Sequence, residues 1–192
     1  MSPAPTTEQA TQTAGNRAPS TDPRAGSITR SVERPSSRYS SYTEGNVFRV
    51  SVPSNWRELP SNNSVTFAPE GAYGAINQQS VFTHGMEAGV MRSDTRDLQT
   101  ATDQLVQSLA QSNPRMSRPS GYARASVGNR AALRTQLSNV SDATGQNERI
   151  DLFTAFLQDG TLFYLIGVAP ESEFDAYEPV FRRVAGSLQF AR

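Results

Sequence analysis

Residues 162–169 read Leu-Phe-Tyr-Leu-Ile-Gly-Val-Ala, an uncharged run with no alternation of apolar and polar positions. A strand that is apolar on both faces has to be covered on both faces. Asp159-Gly160 stands just before this run, and a second apolar run, Glu148–Gln158, stands before that. Asp-Gly between two such runs is a strong hairpin signal. The chain is therefore committed to a central strand in an antiparallel sheet, with something helical on at least one side.

The rest of the chain supplies partners for that strand. Phe48, Val50 and Val52 alternate with Arg49 and Ser51, the pattern of a half-buried strand that Pro53 ends. Val65 and Phe67 mark a second short strand closed by Pro69. Gln78–Ser93 reads as one longer strand with Phe82, His84, Met86, Ala88 and Val90 on one face and Gly85 and Gly89 on the other. Glycine inside a strand marks a bulge or a close backbone approach. Tyr122–Val127 and Arg130–Val140 flank the turn signal Gly128-Asn129.

Two segments change period. Leu98, Ala101, Leu105 and Leu109 share a helical stripe that Asp94 or Thr95 can cap and that Asn113-Pro114 ends. Phe174, Tyr177, Phe181, Val184 and Leu188 recur at steps of three and four, with acids at the start and Arg182-Arg183 later, as the helix dipole favours. Pro179 belongs either in the first turn of that helix or at a break in it. Ser187–Phe190 reads as a last short strand. The expected fold class is α+β: an antiparallel β-sheet of six or seven strands with two main helices packed on it, on opposite faces or on one.

Residues 1–41 contrast with this. They are rich in Ser, Thr, Pro, Ala and Gln and hold few large apolar groups, so they read as a disordered linker ahead of a domain at 42–192. The linker carries five arginines against three acids, +2, and the remainder thirteen against fifteen, −2. All eighteen basic residues are arginine, but eighteen acids balance them. Without a basic excess there is no counterion release to drive nucleic-acid binding, and no nucleic acid is expected as a partner. There is no cysteine and a single histidine, so a thiolate site or a multi-histidine metal site cannot be built within the chain. No cofactor is expected. No apolar run is long enough to span a bilayer, and no signal peptide is visible in this chain.

The order Phe48–Trp56, one mid-chain helix, a meander of hairpins, and Tyr177–Phe190 at the end resembles the PsbP-like (Mog-type) α/β/α sandwich domain. Residues 25–59 and 162–190 also resemble the linker and the ends of the non-catalytic C-terminal domain of HtpX/BepA-like bacterial zinc metallopeptidases. The second resemblance implies an accessory interaction or substrate-positioning module of an extracytoplasmic zinc peptidase, monomeric, with a protein partner or a peptide substrate of that parent. The alternative it leaves is a stand-alone extracytoplasmic PsbP-like protein or lipoprotein that binds a small ligand or an assembly partner. The catalytic HExxH of the peptidases does not occur here: His84 is followed by Gly-Met-Glu-Ala-Gly. The chain itself is expected to be no enzyme.

Three aromatic side chains are candidates for contact with a partner: Trp56, Tyr73 and His84. Trp56 and His84 also have a structural reading. Trp56 follows the first strand and would close one end of the core. His84 shares a strand face with Phe82, Met86 and Val90, where a histidine is held by a hydrogen bond more often than it works. Glu171, Glu173 and Asp175 form the densest carboxylate group, and the start of a helix already accounts for them.

Overall fold

The computed structural model describes residues 28–29, 31–118 and 120–191. The expected linker lies outside the described residues as far as 27. The part that is described is not free of the domain. Tyr39–Ser41, counted with the linker above, belong to strand β1 (Tyr39–Glu44). Ahead of β1, Asn55 ties the chain down twice: its Nδ2 donates to Arg34 O at 2.9 Å and its Oδ1 accepts from Ser36 N at 2.9 Å. Val32 packs against a small cluster of Ala68, Ala72 and Tyr73. A single apolar residue and a few backbone bonds suffice to hold a segment whose composition alone argues against order.

The chain continues through β2 (Phe48–Pro53), β3 (Trp56–Pro60), β4 (Ser64–Pro69), β5 (Tyr73–Ile76), β6 (Gln79–Phe82) and β7 (Gly85–Met91). Helix α1 (Leu98–Ser112) follows, then β8 (Ala123–Val127), β9 (Arg130–Val140), β10 (Asn147–Phe156), β11 (Leu162–Pro170), helix α2 (Phe174–Ser187) and β12 (Gln189–Phe190). Seven strands form one antiparallel sheet in the order β3-β4-β7-β11-β10-β9-β8. The doubly apolar strand β11 sits at its centre, as its sequence requires. The order β1-β2-β12 makes a three-stranded sheet, and β5-β6 a two-stranded one.

The central sheet separates two cores. Phe163, Leu165 and Ala169 of β11 point to a cluster built with Phe48, Val50 and Val52 of β2 and with Phe174, Tyr177, Phe181 and Val184 of α2. Leu162, Ile166 and Val168 of the same strand point the other way, to Ala101 and Leu105 of α1. The helices therefore lie on opposite faces, which the sequence had left open.

Three local expectations need correction. The run Gln78–Ser93 is two strands, not one: β5 and β6 form a hairpin, and the chain breaks at Thr83-His84 before β7. The hairpin turn is Asn77-Gln78, both at positive φ (49° and 67°), as a two-residue turn matched to strand twist demands. Gly85 makes the break possible: its φ is +128°, and a Cβ there would stand 2.2 Å from the Phe67 carbonyl oxygen. Trp56, which follows β2, opens β3 and is buried in the core. The cap of α1 is Asp97, whose Oδ1 accepts from Thr100 N at 2.7 Å, because the buried stripe starts at Leu98. Pro179 lies inside an unbroken α2. A proline there costs about 3 kcal/mol of helix propensity, and five buried side chains of the same helix outweigh it.

Candidate functional site

Helix α1 covers only part of its face of the sheet, lying mainly over β9 and β10 and reaching β11 through Ala101 and Leu105. The β5-β6 hairpin stands over the other part. Between them runs a groove. One wall is the hairpin at Ser80–Phe82; the other is the end of α1 at Leu109, Ser112 and Asn113, with Met116 beyond. Ile150, Ile166 and Val168 form an apolar floor. The main cavity has a volume of about 360 Å³ and adjoins a narrower one of about 210 Å³, walled by Leu59, Pro60 and Tyr73, with Ser80, Val81, Phe82 and Glu87 common to both. That is the size of a small-ligand or side-chain pocket.

Two carboxylates are set into this groove. Glu87 projects from β7 on the groove side. The Tyr164 hydroxyl donates to its Oε1 at 3.2 Å and Thr66 Oγ1 donates to its Oε2 at 3.4 Å. Gly89 makes room for that tyrosine: a Cβ there would fall 2.3 Å from the phenol. Glu148, at the far end of β10, is only 9% exposed and accepts from Asn139 Nδ2 at 2.7 Å. Burial pushes both carboxyl pKa values up, and neutral hydrogen-bond donors partly offset that. Burial first, then the charge of Glu87, likewise raises the Tyr164 hydroxyl. Asp142 at the rim is already taken by Arg115.

Of the three aromatic candidates, Tyr73 lines the narrower end of the groove, with its hydroxyl donating to Glu70 Oε2 at 3.1 Å. Trp56 and His84 do not line it. Trp56 is 5% exposed and belongs to the α2-side core. His84 is 6% exposed, packs 5.4 Å from the Tyr177 ring, and shares a 2.9 Å hydrogen bond between Nδ1 and Thr83 Oγ1. Its Nε2 lies 3.6 Å from Glu173 Oε2. Burial lowers the imidazole pKa, and the Glu173 charge works against that. Thr83, His84 and Glu173 thus follow one another in the manner of a nucleophile, base and acid. Thr83 is only 3% exposed, however, and its hydroxyl is within 3.3 Å of Ala72 O, so the hydroxyl is packed away from substrate. Among the described residues, no group of three or more His, Asp or Glu side chains is placed to hold a metal ion.

Sequence reasoning named none of the groove carboxylates. The available signal was strand phase. Glu148 shares its face with Ile150 and Leu152, and Glu87 shares its own with two glycines, so each is a charge on a face that should be buried.

No family model matches the chain, and no curated protein matches it in sequence. Solved structures do. The chain resembles the Ran-binding protein Mog1p of Saccharomyces cerevisiae at a TM-score of 0.56 and 10% identity, covering 79% of this chain and 95% of that one. It resembles the cyanobacterial PsbP (CyanoP) of Synechocystis at 0.54 and 12%, covering 86% and 98%. It also resembles LpqN, involved in cell envelope biogenesis of Mycobacterium tuberculosis, at 0.50 and 13%, covering 81% and 91%. A Bacteroides thetaiotaomicron protein matches at 0.50 and 13%, and there the chain spans 48% of the longer protein. At these identities the likeness establishes the fold alone: the chain has the fold that Mog1p and CyanoP share, the fold that the sequence resemblance implied. No helix among the described residues is long and apolar enough to cross a membrane.

Proposed function

We propose that this chain is a non-catalytic binding module whose groove between α1 and the β5-β6 hairpin holds a segment of a protein partner. The observation that carries the reading is a preformed cavity of about 360 Å³ over an apolar sheet floor of Ile150, Ile166 and Val168. Mog1, which shares the fold, is described as Ran-binding, so a protein partner is a use to which this scaffold has been put. The sole imidazole, His84, is bonded to Thr83 and does not line the groove. Amide NMR shifts of the full chain on titration with peptides test the proposal. Shifts clustered at Ser80–Phe82, Leu109–Met116 and Ile166–Val168 are expected. Shifts confined to α2 or to the β1-β2-β12 sheet would overturn it.

The setting of the module has two readings. An accessory role beside an extracytoplasmic zinc metallopeptidase rests on the linker and end segments that resemble such enzymes. The Bacteroides match, in which the fold occupies 48% of a longer chain, is compatible with it. A stand-alone protein is favoured by Mog1p, CyanoP and LpqN, each covered over 91–98% of its own length, and an extracytoplasmic one by LpqN, which is involved in cell envelope biogenesis. Coding sequence upstream of Met1, in frame and encoding HExxH, would select the first reading; an in-frame stop codon there selects the second.

A further inference from the structure

The same sheet treats buried and half-buried acids in two ways. Asp151, fully buried on the α2 side, is met by Arg134 through two hydrogen bonds, Nε to Oδ1 at 2.6 Å and Nη2 to Oδ2 at 2.9 Å. Glu87 and Glu148, on the groove side, take part in none of the ion pairs among the described residues. Among the described residues no arginine lines either cavity. Arg115 is the one guanidinium that acts on Glu148, and the Asp142 carboxylate that holds it acts in the opposite sense. Buried carboxylates without a counter-charge are uncommon, because burial penalises the ionised form. Neutral donors reduce that penalty and leave the negative charge in place.

The two acids also have a definite spacing. Glu87 pairs across to Ile166 of β11, and Glu148 pairs across to Pro170 of the same strand. They are two strand spacings apart across the sheet and four residues apart along it, which sets their Cα atoms roughly 17 Å from each other. That separation is too wide for one metal ion to bridge. It is a few ångströms more than four residue steps of an extended chain, a difference that two long basic side chains take up. The floor between them is apolar, with Ile166 and Val168.

We propose that the groove recognises an extended peptide segment with an arginine or lysine at each end and an apolar side chain between them, the cations seated at Glu87 and Glu148. The proposal rests on the groove being the binding site. Charge complementarity selects the occupant: the cavity walls supply negative charge at two ends and no positive charge, and the intervening floor takes a hydrophobic group. A charged guanidinium on a carboxylate forms the stronger class of hydrogen bond, and a site that excludes water strengthens it further.

The test uses the full chain and the peptide acetyl-Ser-Arg-Ser-Leu-Ser-Arg-Ser-amide, whose arginines and leucine share one face when extended. A second peptide carries norleucine in place of both arginines. Fluorescence anisotropy should show the arginine peptide bound at least tenfold more tightly. Glu87→Gln and Glu148→Gln should each remove on the order of tenfold of its affinity, the scale of one charged hydrogen bond, without changing the affinity of the norleucine peptide. Glu58→Gln, on the exposed edge strand β3, should change neither. Equal affinity of the two peptides, with NMR shifts in the groove, would overturn the cationic recognition and leave the groove reading standing. Shifts outside the groove would overturn both. Spermidine binding where the arginine peptide does not would assign the acids to a small polyamine and defeat the peptide. A dimer in sedimentation that the arginine peptide cannot dissociate would make a second copy the occupant, and so would also defeat it.

Discussion

On the α2 face of the sheet, Asp151 is fully buried and Arg134 answers it, with Glu178 and Arg182 extending the network onto the helix. On the α1 face, Glu87 and Glu148 receive hydrogen bonds from Tyr164, Thr66 and Asn139 and no cation. One face is closed by two helical turns of aromatic side chains and a second sheet; the other is left as a groove. The difference teaches that burial of charge has two uses in one fold. Matched within the chain, it locks a helix to a sheet. Left unmatched beside a cavity, it holds the charge ready for something outside, at a cost to stability that a purely structural face would have no reason to carry.

Breaking the closed face should have the largest effect. Arg134→Met leaves Asp151 buried without its partner, and loss of one partner of such a pair costs about 3–5 kcal/mol. Urea unfolding should show the loss, and Arg134→Met with Asp151→Leu should recover most of it. A single-variant cost under about 1 kcal/mol would mean that the pair does not hold the face together.

On the groove face the corresponding strain is smaller. Gly89→Ala places a Cβ 2.3 Å from the Tyr164 ring, so the phenol must move off Glu87. A cost of about 1–3 kcal/mol is expected, the range for overpacking. The amide shifts of Glu87 should change with it. If stability and those shifts both stay as in wild type, Tyr164 is not held by that glycine.

The third effect depends on pH. The folded-state pKa of His84 lies below its unfolded value, chiefly through burial, so the unfolded chain binds the proton more readily. Its contribution to stability is therefore present at neutral pH and declines as pH falls below about 6.5, the ordinary histidine value. Thermal melts from pH 7.5 to 5 should show that decline, and His84→Gln should flatten it. An unchanged slope in the variant would assign the decline to other groups.

Glu87 gives the smallest effect, of opposite sign. Its folded pKa is raised, so stability is lost as pH rises through the unfolded carboxylate value toward the folded one. Glu87→Gln should thus raise the melting temperature at pH 7, and the gain should vanish near pH 4, where the wild-type side chain carries its proton. A destabilised variant at pH 7 would show Glu87 to be part of the fold's support and not a group kept for binding.

Much of the architecture could be read from residues alone. The two-sided apolar run of β11 demanded a central strand, and the Gly128 and Asp159-Gly160 turns placed the meander around it. The stripe from Phe174 to Leu188 is buried throughout. The β5-β6 hairpin escaped notice because its turn is Asn77-Gln78, without the glycine that usually marks such a turn. That omission fell on the site itself, since the hairpin is one wall of the groove. Tyr73 was singled out and lines the groove, whereas Glu87 and Glu148 were visible only as charges at buried phases of their strands.

The sequence by itself determined that an antiparallel sheet would be covered on both sides and that each helix would have one buried stripe. Those are matters of local period, and periods of two and 3.6 residues are written in the order of side chains. Tertiary structure alone decided which face each helix took, and that α1 would stop short and leave a groove beside the hairpin. It also decided which buried acids would find an arginine. A stripe specifies that a helix has an inside, not against what; and whether a buried charge is paired depends on residues brought across the sheet from elsewhere in the chain, which no local pattern records.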